Sequence, residues 1–148
     1  MNNENLKISI ACDHAGYNLK EYLKIKLNSQ GYLVKDYGTF SEKSVDYPDY
    51  IHPLAKSMQN KEHKFGIVIC GSGIGVSITA NKHPDVRAAL SWTEDIAKFS
   101  RLHNNANILA LPARFISKRK AKKIMDVFLS TNFEGGRHMA RVSKINIS

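Results

Sequence analysis

Cysteine is scarce, with two residues in 148, and there are only four prolines and one tryptophan. Two thiols are too few for the disulfide framework of a small secreted scaffold. No apolar run approaches the ~20 residues that a membrane-spanning helix needs. The opening Met1-Asn2-Asn3-Glu4-Asn5 is polar and lacks the apolar segment of a signal peptide. A soluble cytoplasmic protein is expected, neither secreted nor membrane-bound. Acidic residues are also few, 13 Asp+Glu against 22 Lys+Arg, for a formal net charge of +9.

That charge raises the question of nucleic acid. The densest basic stretch, Lys118-Arg119-Lys120-Ala121-Lys122-Lys123, leads into Ile124, Met125, Val127, Phe128 and Leu129, spaced as the buried stripe of a helix. It reads as a solvated helix face, and no zinc-finger spacing or aromatic RNA-binding motif accompanies it. No nucleic-acid partner is expected. A basic protein does favour anionic small substrates, phosphate esters included.

What is present is 43% hydrophobic residues, in short runs that alternate with amphipathic stretches. Strands are expected at Leu6–Cys12, Tyr32–Tyr37, Phe65–Cys70, Val86–Trp92 and Asn107–Leu111. Helices are expected at Tyr17–Ser29, Tyr50–Met58, Ile74 to about Lys82, Thr93 to about Leu102, and Ser117–Ser130. Residues 131–148 are polar, glycine-bearing and basic. Five strands alternating with helices imply an α/β fold, a Rossmann-like three-layer sandwich around a five-stranded parallel sheet. At this length one domain is expected. In such folds ligands bind beyond the carboxyl ends of the strands, where the strand order reverses.

Two segments fall at those ends: Asp13-His14 and Cys70-Gly71-Ser72-Gly73-Ile74-Gly75. Three glycines between a strand and a helix let backbone amides approach an anion. A thiolate at such a helix entrance is favoured by the same amides, so Cys70 is a candidate nucleophile or general base. A dinucleotide fingerprint fits less well, because the spacing is G-x-G-x-G rather than G-x-G-x-x-G. Cys12 is read first as a small buried hydrophobe, although neighbouring strands would bring both thiols to one sheet edge and permit a redox pair. His103 precedes three asparagines within 104–107, as a site residue or as part of a helix cap. Arg137 and Arg141 share a helix face, suited to a phosphate clamp or simply to a basic tail. No His, Cys or carboxylate spacing suggests zinc, so no metal is expected.

In combination these segments resemble a known family. Cys12-Asp13-His14-Ala15-Gly16, Asp46-Tyr47-Pro48, Cys70-Gly71-Ser72-Gly73-Ile74-Gly75, Ala80-Asn81-Lys82, His103-Asn104-Asn105-Ala106-Asn107 and Gly135-Gly136-Arg137-His138 occur in the order seen in type B ribose-5-phosphate isomerases. The resemblance runs from about Lys7 to about Ile145. It implies an aldose–ketose isomerase of the pentose phosphate pathway, working through a cis-enediolate without cofactor or metal. It assigns Cys70 as the base between C2 and C1, Ser72 to proton traffic, and His103 to opening the furanose ring, with Asp13 and Tyr47 on the sugar. Asn104 and the amides of the Gly71–Gly75 turn would hold the enediolate oxygen; His14, Arg114, Arg137 and Arg141 would grip the phosphate. Some members carry a Glu base just after the glycine turn; Val76 and Ser77 stand there in this chain.

The resemblance further implies a homodimer or dimer of dimers with shared sites, residues 131–148 reaching onto the partner subunit. Two other readings remain: an isomerase of a six-carbon phosphate such as allose or galactose 6-phosphate, and a nucleotide- or nucleic-acid-binding module. Residues near Tyr47 and Arg101–His103 are expected to set the pocket length that separates five- from six-carbon substrates.

Overall fold

The computed structural model describes residues 6–147. The polar opening read as lacking a signal lies outside the described residues. The elements are β1 (Lys7–Cys12), α1 (Tyr17–Ser29), β2 (Leu33–Asp36), α2 (Tyr47–Gln59), β3 (Phe65–Cys70), α3 (Ile74–Ala80), β4 (Ala88–Leu90), α4 (Glu94–Asn104), β5 (Ile108–Pro112), α5 (Lys118–Ser130) and α6 (Arg137–Val142). The five strands form one parallel sheet in the order β2-β1-β3-β5-β4. Between β1 and β3 the direction of winding reverses, and there the loops that follow the two strands part to leave a crevice.

β3 and β5 are buried at every position, as expected of central strands covered on both faces. On one face Ile8, Ile10, Ile67, Ile69 and Leu109 pack with Leu23 and Leu27 of α1 and Ile124 and Phe128 of α5. On the other, Ala11, Val68, Cys70 and Ala110 pack with Ile51 and Leu54 of α2 and Val76 of α3. Removing a ring such as Phe128 from this core would cost about 3–5 kcal/mol.

The alternation separates the two thiols. Cys12 pairs in register with Ile69, and the next residue, Cys70, points to the opposite face. The redox pairing read from the shared sheet edge is therefore corrected: a layer of backbone lies between them. Burial pushes the Cys12 thiol up to about 12, opposed in part by Lys20, so it stays protonated.

Two boundaries differ from expectation for identifiable reasons. α2 begins three residues early, at Tyr47, because Pro48 suits the first helical turn, where no amide donor is needed. β4 is shorter than expected because Arg87 N–H turns to the Asn107 side chain (2.8 Å), while Ser91 N–H still reaches Ala110 O (3.0 Å). The Arg137–Val142 stretch of the tail is helical. In the basic stretch, Lys120 pairs with Glu94 and Lys122 with Asp126, as a solvated helix face does. No helix among the described residues is long and apolar enough to cross a membrane.

Candidate active site

The crevice at the strand-order reversal opens into a cavity of about 1070 Å³. Asp13, His14, Tyr47, Cys70, Gly71, Ser72, Gly75 and Arg114 all line it. Each is placed by local backbone chemistry. Asp13 directly follows β1 and caps the turn after it, its Oδ1 accepting from Ala15 N–H (3.0 Å) and Gly16 N–H (3.2 Å). It is 7% exposed, and that capping fixes the carboxylate at the cavity wall. His14 Nδ1 accepts from Val45 N–H at 3.2 Å, which leaves Nε2 to carry the ring proton in the neutral form. That nitrogen is a donor available to an anion.

Cys70 closes β3 and is 5% exposed. Its Sγ accepts from Gly73 N–H at 3.2 Å, which holds the sulfur against the glycine turn. Gly73 adopts the left-handed conformation at φ 73°, and a Cβ there would come within 2.4 Å of Leu90 Cδ1. Only glycine fits both demands, and its own amide is the one that meets the thiol. Ser72 Oγ accepts from Ile74 N–H at 3.2 Å, and Ser77 Oγ donates to Gly73 O at 2.6 Å, fixing the turn from both ends. The segment after β5 locks onto it: Ala113 N–H donates to Cys70 O (2.9 Å) and Arg114 N–H to Gly71 O (3.0 Å). Arg114 consequently lies across Gly71, where a Cβ would meet its Nη1 at 3.2 Å. Across the cavity the Tyr47 ring packs on Gly75.

His103, Asn104 and Arg141 are elsewhere. They line a second cavity of about 370 Å³ with His138, and it shares no residue with the first. The reason is topological. α4 carries the chain from the carboxyl end of β4 back to the amino end of β5, so its last turn reaches the opposite end of the sheet. His103 stacks on His138, centroids 4.3 Å apart and planes 17° apart, and its Nε2 is 3.8 Å from Glu134 Oε2. Arg137 Nε donates to His138 Nε2 at 3.5 Å. Burial, then the neighbouring His103 and Arg137, hold His138 below the ordinary histidine range.

Ligand atoms of His103, Glu134 and His138 all fall within 4.8 Å of one another. Nearly parallel rings keep their lone pairs in two separate, nearly parallel planes, so the arrangement suits stacking better than ligation of one ion. Arg101 does not reach either cavity. It is 6% exposed and donates to Thr131 O (3.0 Å) and Ala106 O (2.5 Å), so it does not set pocket length as expected from its place beside His103.

A family model described as Ribose/Galactose Isomerase matches residues 8–145. The chain belongs to the ribose/galactose isomerase family. Ribose-5-phosphate isomerase B of Escherichia coli (strain K12) is 41% identical over 139 residues, 94% of this chain and 93% of that protein. A solved ribose 5-phosphate isomerase from Thermotoga maritima superposes with a TM-score of 0.93 at 51% identity, covering 95% of this chain and 97% of that one. The Mycoplasma genitalium ribose-5-phosphate isomerase B, solved with bound ribulose-5-phosphate, gives 0.91 at 41% identity, covering 96% and 95%.

The resemblance allows a Glu base just after the glycine turn, where this chain has Val76 and Ser77. Val76 is fully buried beneath the turn and offers no carboxylate. Two features escaped the sequence reading. His138 was quoted in its motif without a role, and its stacking on a residue 35 positions earlier leaves no local signal. The hold of Val45 N–H on His14 likewise joins a backbone donor and a ring that are far apart in the chain.

Proposed function

We propose that the chain is a ribose-5-phosphate isomerase, a single-domain cytoplasmic enzyme that interconverts ribose 5-phosphate and ribulose 5-phosphate with Cys70 as general base. The observation that carries the chemistry is the Gly73 amide on Cys70 Sγ, at the wall of a cavity also lined by Asp13, His14 and Arg114. With the open-chain aldose bound, the Cys70 thiolate removes the proton from C2. The C2–H electrons form the C1–C2 double bond, and the former C1 carbonyl oxygen takes up the charge as an enediolate. The protonated thiol then returns the proton to C1 while the proton on O2 passes to O1 by way of Ser72, leaving a carbonyl at C2. The amides of the Gly71–Gly75 turn and the Asn104 side chain stabilise the oxyanion. His14 and Arg114 bind one side of the phosphate, and Arg137 and Arg141 supply the other forks. His103 opens the furanose ring, with Asp13 and Tyr47 holding the sugar.

This division of labour requires two copies of the chain. In the proposed assembly, His103, Asn104, Arg137 and Arg141 of one subunit complete the Cys70 cavity of the other. Supporting it are the placement of the two groups at opposite ends of one sheet and the exposed Ile74, Ile78 and Phe115 beside the cavity, at 52%, 58% and 76%. Such contiguous exposed apolar side chains mark interaction surfaces.

The test is turnover of ribose 5-phosphate by the purified protein, alongside Cys70→Ala. Activity in the wild type and a fall in kcat of about a hundredfold or more in the variant are expected. Activity retained in Cys70→Ala would keep the isomerase and remove the thiolate. Silence on ribose 5-phosphate with turnover of a six-carbon phosphate would reassign the substrate. Mixing inactive Cys70→Ala with inactive His103→Asn restores activity if sites are shared, and restores none if each chain works alone.

A further inference from the structure

The sheet carries a third cavity, against the amino ends of β3, β4 and β5. It encloses about 520 Å³ and shares no lining residue with the Cys70 cavity. Four cationic side chains line it: Lys61, Lys64, Arg87 and Arg101. The two arginines converge on one residue, Arg87 Nε donating to Asn105 O and Arg101 Nη1 to Asn105 Oδ1, each at 2.9 Å. Asn105 is held in the left-handed conformation at the end of α4, which turns both of its oxygens toward them.

Two guanidinium groups are thus drawn together by neutral acceptors alone. None of the ion pairs among the described residues involves an arginine. Of the cavity's two carboxylates, Asp85 accepts from the Asn146 amide and lies near enough to Arg87 to favour its charge without forming an ion pair with it, and Glu62 is an exposed rim residue. Arg101 is nine-tenths buried and lies 4.8 Å over the Phe65 ring, so the cation is kept in place by packing and by the Thr131, Asn105 and Ala106 oxygens rather than by a counter-charge. Burial and the neighbouring Arg87 both make its charged form harder to hold. A staple for backbone carbonyls needs no open hollow and no second guanidinium beside it.

We propose that this basal cavity is a second anion site, built to take a phosphoryl dianion. The four cations less the two carboxylates leave a charge that a dianion matches. Nε and Nη1 of Arg101 and Nε of Arg87 are engaged on carbonyl oxygens, so the outer guanidinium nitrogens and two ammonium groups are the donors a ligand would meet. Their several directions suit a tetrahedral group with terminal oxygens better than a planar carboxylate. Free phosphate and the phosphorylated end of a small metabolite share that chemistry.

The experiment is a site-resolved NMR titration of the isotope-labelled full chain, following the Arg87 and Arg101 Nε–H groups and the amides of 62–65 and 105–107. Inorganic phosphate and glycerol 3-phosphate form two arms, with sodium chloride at matched ionic strength as the control. Saturable shifts at the basal groups are expected. Saturation by both arms assigns the site to the phosphoryl group itself, and saturation by the ester alone assigns it to a phosphorylated metabolite. The double variant Lys61→Glu/Lys64→Glu, changed only at the exposed rim, is expected to weaken basal binding by about tenfold or more. It should leave the response of the Gly71–Gly75 amides unchanged. Shifts no larger than those with chloride, or basal binding unaffected in the double variant, would overturn the proposal.

Discussion

A missing methyl group governs how closely Tyr47 approaches the thiol side of the cavity. A Cβ on Gly75 would lie 2.5 Å from Tyr47 Cζ, so even alanine must displace the ring. Gly75→Ala is therefore expected to raise KM for ribose 5-phosphate by about tenfold or more through misplacement of the sugar, with little loss of thermal stability. Steady-state kinetics beside a thermal melt checks it; unchanged KM would remove Tyr47 from the sugar. At this scale the sequence was most informative where chemistry is local. Cys70, Ser72 and Gly73 stand together in one turn, and Asp13 caps the residues immediately after it. The contacts that join distant residues, His103 with His138 and His14 with Val45, carry no pattern along the chain and became visible only in three dimensions.

Among the elements, α4 shows both what periodicity can reveal and what it misses. Its start was legible from Thr93, whose hydroxyl accepts from Ile96 N–H at 3.2 Å, with Glu94 and Asp95 in the first turn. Its direction across the sheet, which separates His103 from Cys70, follows from joining the parallel strands β4 and β5 and is not a matter of periodicity. β4 was overestimated because Arg87 looks like strand until Asn107 claims its amide. Thr93→Ala is expected to cost about 1 kcal/mol in urea unfolding, because one helix amide loses its acceptor. The residues that touch substrate stay in place, so kcat should be retained. A loss of activity without a loss of stability would mean that the cap serves the site directly.

For the whole molecule, acid should act first through histidine. Burial holds His63 and His83 below their ordinary value of 6.5, His83 with a further push from His52, and His138 is lowered as well. The folded chain then binds fewer protons than the unfolded chain, so stability is fully present above the ordinary histidine value and falls as pH drops below it. The urea midpoint should decline between about pH 7.5 and about pH 5, and His83→Asn should shrink that decline. An equal decline in the variant would place the acid sensitivity elsewhere. Asp36 acts at lower pH: burial would raise it, but bonds from Lys20 and Lys24 prevail and hold it below the usual carboxylate range. The α/β class and the five-strand count were legible at this scale, because most of the strands are short apolar runs that alternate with amphipathic stretches. One consequence of the alternation concerns oxidative damage. With Cys12 on the far face of the sheet, a sulfenic acid formed on Cys70 has no resolving thiol in its own chain, so repair depends on a thiol supplied from outside before further oxidation makes the loss permanent.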